Sequence, residues 1–120
     1  MTPDLDGLQV AYLGIALAHY LDLETGDVED LPLDAEPPDP SRYRRIPTRT
    51  PESEAEDRRL FVEKMPLSRL RENLAASVDD AMQFRQWLAS DLTVQRAFFN
   101  FKNDQATRAV EGWLRDEGLG

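Results

Sequence analysis

The stretch LDAEPPDPS, residues 33 to 41, constrains this chain most. Pro37, Pro38 and Pro40 fix φ and remove backbone donors, so no helix or ladder strand can run through it. The linker separates two patterns: short runs of β character lie around it, and from Thr50 onward apolar residues recur at helical spacing. The expected architecture is α+β, a small three-stranded antiparallel sheet (N-terminal hairpin plus one strand) packed with four or five α-helices. Its 120 residues read as a single domain. Residues 1–49 hold an acidic hairpin, the proline-rich linker and an arginine strand; residues 50–120 form the helical part.

Before the linker, DLDGLQVAYLGIAL predicts a first helix over about residues 4–12, with Gly14 as its stop. HYLDLETGDVED then admits two hairpin registers. A two-residue loop at Thr25-Gly26 would set Asp22 opposite Glu29, like charges facing in mid-ladder. A four-residue loop, Leu23 to Gly26, sets Leu21 opposite Val28 and His19 opposite Asp30. It lets Asp22 accept N–H groups across the turn while Gly26 takes the positive φ. The second register is preferred. Beyond the linker, RYRRIP alternates as a third strand, with Arg42, Arg44 and Ile46 on one side and Tyr43, Arg45 and Pro47 on the other.

In the helical part, Thr50 is a suitable N-cap and Pro51 fits the first helical position. Pro66 ends that helix or begins the next. Leu67, Leu70, Leu74 and Val78 then form an amphipathic stripe, and Asp79 or Asp80 caps a short helix whose Phe84, Trp87 and Leu88 face inwards. A last helix begins after Ser90 or Asp91 and carries Val94, Phe98, Phe101, Ala109, Trp113 and Leu114 on its apolar side. Gly118 stands at the left-handed C′ position, with Leu119 contacting Leu114. Trp87, Trp113, Phe84, Phe98 and Phe101 are expected to be buried together.

Charge is segregated. Residues 1–40 contain ten Asp and Glu and no Lys or Arg, whereas residues 41–120 hold fourteen basic and thirteen acidic residues. A surface this acidic repels a phosphate backbone, so nucleic acid is an unlikely partner and a basic protein a suitable one. No apolar run approaches the roughly 20 residues of a membrane span, and the acidic start lacks the basic region of a signal peptide. A cytoplasmic protein with no membrane association is expected.

Catalytic and metal chemistry find little support. The chain has no cysteine and only one histidine, His19, so a transition-metal site lacks its usual donors. Counted from Asp22, a calcium loop would need an oxygen ligand where Gly26 stands and glycine where Asp27 stands. Pairs such as Glu24 with His19, or Asp27 with Glu29, fall on a hairpin expected to be solvated. No catalytic residue, metal or cofactor is expected. The candidate binding residues are Arg42, Tyr43, Arg44 and Arg45, which could grip an anion and stack on a base. Their competing role is to neutralise the acidic hairpin beside them.

YLDLETGDV, YRRIP, FVEKMPLSRLRENLAASV, FRQWL and AVEGWLRDEGL together resemble a bacterial group known as uncharacterised protein family 0158. The likeness runs from about Tyr20 to Leu119. It implies a small bacterial, cytoplasmic α+β protein and brings no catalytic residue. Where members of that group look like Gly-Lys-Gly-Ala-Phe-Arg-Arg-Phe, this chain reads DAMQFRQW, with Asp80, Ala81 and Met82 at the glycines and lysine. An anion cradle at that helix start is not carried over.

Overall fold

The computed structural model describes residues 1–119. In chain order the elements are α1 (Leu5–Leu13), β1 (Ala18–Asp22), β2 (Val28–Leu31), β3 (Tyr43–Arg45), α2 (Pro51–Glu63), α3 (Arg69–Ala76), α4 (Ala81–Leu88) and α5 (Leu92–Asp116). This is the expected α+β arrangement of a three-stranded antiparallel sheet with five helices, and residues 33–41 contain no helix or strand.

The strand order is β2-β1-β3, so both neighbours pair with the hairpin's first strand. Leu21 lies opposite Val28 and His19 opposite Asp30, the register of the four-residue loop. Gly26 closes that loop with φ +84°. Its carbonyl accepts the Asp4 N–H at 2.9 Å, tying the turn to the start of α1. Being central, β1 is buried along its whole length.

The helix starts follow their caps. Asp4 accepts the Gly7 N–H, and Thr50 and Ser53 cap α2 reciprocally through side chain and backbone. Of the alternatives left open by sequence, Asp80 caps α4, and Asp91 accepts the Thr93 and Val94 N–H groups at the start of α5. At the far end of α5, Gly118 has φ +70°; its N–H donates to Arg115 O and the Leu119 N–H to Leu114 O. That is the complete left-handed cap.

The chain divides into two compact units, residues 1–49 with 105–119 and residues 50–104. The first is built on Leu8, Ala11, Leu21, Ile46, Val110 and Leu114; the second on Phe61, Val62, Leu74, Phe84, Leu88 and Phe98. In the second, Phe98 sits with its ring centroid 5.2 Å from those of both Phe61 and Phe84. The division falls at Arg49–Thr50, and the last turns of α5 belong with the sheet.

Three expectations need correction. Trp113 does not join Trp87, Phe84, Phe98 and Phe101: it packs, half-buried, on the first unit's core, because it lies three to four turns further along α5. On that stretch the fully enclosed positions are Ala106 and Val110, while Ala109 is only half-buried. Leu67 is 86% exposed, since Ser68 accepts the Arg71 N–H and starts α3 after it.

Candidate functional site

The sheet unit holds the residues singled out above, and its organising group is Asp22. This side chain ends β1 and is nearly inaccessible. Its Oδ1 accepts the Glu24 N–H at 2.9 Å and the Thr25 N–H at 3.4 Å, as the loop register requires. It also receives Arg42, which donates Nε to Oδ1 at 2.9 Å and Nη2 to Oδ2 at 2.7 Å. The bidentate guanidinium, helped by the two backbone N–H groups and opposed by burial, holds the Asp22 carboxyl far below the usual carboxylate range. Arg42 is correspondingly pushed above its ordinary value by the same carboxylate.

Arg42 also lies 3.4 Å from Glu24 and has its guanidinium carbon 5.5 Å from the Tyr43 ring centroid. Arg44 donates Nη1 to Glu117 at 2.6 Å, in the turn after α5. Arg45 is exposed on β3 opposite Tyr20. Tyr43, Arg44 and Arg45 thus form β3 with Arg42 just before it, but two of the three guanidiniums already face carboxylates. To reach Arg42 or Arg44 an incoming anion would have to displace Asp22 or Glu117. Neutralisation of the hairpin, the competing role, is realised by Arg42 at Asp22 and Glu24, whereas Arg44 pairs with Glu117 after α5.

The remaining acids of residues 1–40 are left outside. Asp4, Asp6, Glu24, Asp27, Glu29, Asp30, Asp34, Glu36 and Asp39 are all exposed, and only Asp22 is buried. Asp39 is locally satisfied by the Ser41 hydroxyl and N–H, which lower its pKa. Asp30 accepts from His19 Nδ1 at 2.6 Å. Because a carboxylate only accepts, Nδ1 carries the proton. His19 is itself buried, and its Nε2 has no hydrogen-bond partner among the described residues.

Sequence reasoning missed that Asp4 and Asp6, from the first turn of α1, share an open cleft of about 380 Å³ with His19 and Asp30. The signal was present: Asp6 and Val10 are four apart and share a helix face, and His19 stands opposite Asp30 in the chosen register. Among the described residues, no group of three His, Cys, Asp or Glu side chains is arranged to hold a metal ion. None of the described helices is long and apolar enough to cross a membrane. No family model, curated protein or solved structure matches the chain, so the resemblance to uncharacterised protein family 0158 rests on the quoted motifs alone.

Proposed function

We infer that this is a non-catalytic interaction or regulatory protein of the cytoplasm that binds a basic protein partner through its acidic sheet unit. One observation carries the reading: nine of the ten carboxylates in residues 1–40 are exposed, and Arg42 and Arg44 are spent on Asp22, Glu24 and Glu117. Such a surface attracts cationic surfaces over about 10 Å at ordinary salt and speeds encounter with them. It repels phosphate, which disfavours nucleic acid. The neutralised state of Arg42 and Arg44 also counts against anion binding on β3. Family 0158, which the sequence resembles, contributes no catalytic residue that would change this.

The test is affinity capture from source cells with the wild-type chain and with a charge-reversed variant in which Asp27, Glu29, Asp34 and Glu36 are lysine. All four are exposed, so the fold should tolerate the change. The wild type should retain a protein of isoelectric point above about 9 that elutes as salt rises, and the variant should lose it. Retention of the same protein by the variant, or capture only of acidic partners, would overturn the reading.

A further inference from the structure

In the order β2-β1-β3, β2 is an edge strand, with no strand on its far side among the described residues. The ladder fixes which main-chain groups are left there. The Asp22 N–H donates to Asp27 O, so with Tyr20 opposite Glu29 and Ala18 opposite Leu31 the hydrogen-bonded pairs fall on Asp27, Glu29 and Leu31. The other side of β1 agrees, because His19 O accepts the Ile46 N–H beside β3. Val28 and Asp30 therefore turn their N–H and C=O groups outwards, and neither takes a backbone partner among the described residues. The side chains along this edge read apolar, acidic, acidic, apolar: Glu29 and Asp30 are exposed, Val28 and Leu31 half-buried. Edges are commonly blunted by lysine, proline or a bulge, and β2 contains none of these.

We propose that this edge accepts an extended segment of the basic partner as a fourth strand, antiparallel to β2. The segment carries a Lys or Arg opposite each of Glu29 and Asp30 and an apolar residue opposite each of Val28 and Leu31. The outward N–H and C=O groups of Val28 and Asp30 supply its ladder, and the two acids supply cross-strand pairs of opposite charge. Charge decides the occupant. In a symmetric pairing of two copies centred on Glu29 or Asp30, acid would face acid, so the edge is set against its own kind. A cationic strand meets its complement at both positions. The proposal rests on the interaction reading above and adds where, and in what conformation, the partner docks.

The probe is a nonapeptide with Val-Arg-Arg-Val at its centre, titrated into the ¹⁵N-labelled full chain at about 50 mM salt. Two N-methylated versions keep the same charge. One is methylated at the first arginine and second valine, whose N–H groups would point at Asp30 and Val28; the other at the first valine and second arginine, whose N–H groups would point away. The parent and the second version should bind and protect the Val28 and Asp30 amides from hydrogen exchange. The first should bind about thirtyfold more weakly, having lost two main-chain hydrogen bonds. Equal affinity for the two methylated peptides, with no new protection at Val28 and Asp30, would refute the added strand while the acidic-surface reading stands. If no peptide binds, both fail. If the chain alone sediments as a dimer with Val28 and Asp30 already protected, the edge belongs to a second copy and the proposal is overturned.

Discussion

Gly26 and Gly118 form a controlled pair, because both are left-handed, with φ +84° and +70°, in different surroundings. Placing alanine in that region costs roughly 1–2 kcal/mol, offset in part by the reduced freedom of the unfolded chain. At Gly118 a methyl group meets none of the described residues within 4 Å, so Gly118→Ala should cost only about 1 kcal/mol. At Gly26 the new carbon would lie 2.0 Å from the Thr2 carbonyl oxygen, so the segment before α1 must move away. That movement sacrifices the Asp4 N–H bond to Gly26 O, worth about 1 kcal/mol, and adds contact strain of about 1 kcal/mol. Gly26→Ala should therefore cost about 3 kcal/mol in total. With a urea slope of about 1.5 kcal/mol/M, the midpoints fall by about 2 M and about 0.7 M for the two variants. Removing residues 1–3 should bring the Gly26→Ala penalty down to the Gly118→Ala value. Equal shifts in the full-length chain would refute the reasoning, since conformation alone would then account for both.

The Asp22 clamp makes a pH prediction with a definite sign. The folded pKa is depressed, so the stabilisation is fully present above the unfolded value of about 3.9 and is lost as pH falls below it. The gap in urea midpoint between wild type and Asp22→Asn should be constant from neutral pH to about 5 and shrink below about 4. Phe84→Ala, at a site 2% exposed, should cost about 3–5 kcal/mol, whereas half-buried Trp113→Ala should cost clearly less; calorimetry that reverses this order would show the wrong face of α5 or α4 assigned to the interior. Leu67→Ser should leave the melting temperature nearly unchanged, because the side chain is already in water.

Much of the fold was legible because local chemistry agreed with tertiary need. Like charges excluded one hairpin register, Thr50, Asp80 and Asp91 marked helix starts, and Gly118 with Leu119 marked a helix end. What misled was periodicity without boundaries. Leu67 fits the stripe arithmetically but falls one residue before its cap, and the apolar side of α5 changes the core it serves part-way along. Candidate residues on β3 were found by type, but their commitments to Asp22 and Glu117 depend on contacts 20 and 73 residues apart in sequence, beyond any local pattern. The cleft was missed for the same reason, being assembled from a helix start and two strands.

The 25-residue α5 supplies Phe98 to one core, and Val110 and Leu114 to the other. A ribosome delivers the sheet strands well before these two side chains, so residues 50–104 can settle while the sheet still waits for its closing layer. During that interval Leu21 and Ile46 stand uncovered, and the surplus carboxylates around them would serve as a solubilising coat for a half-made molecule before they serve any partner.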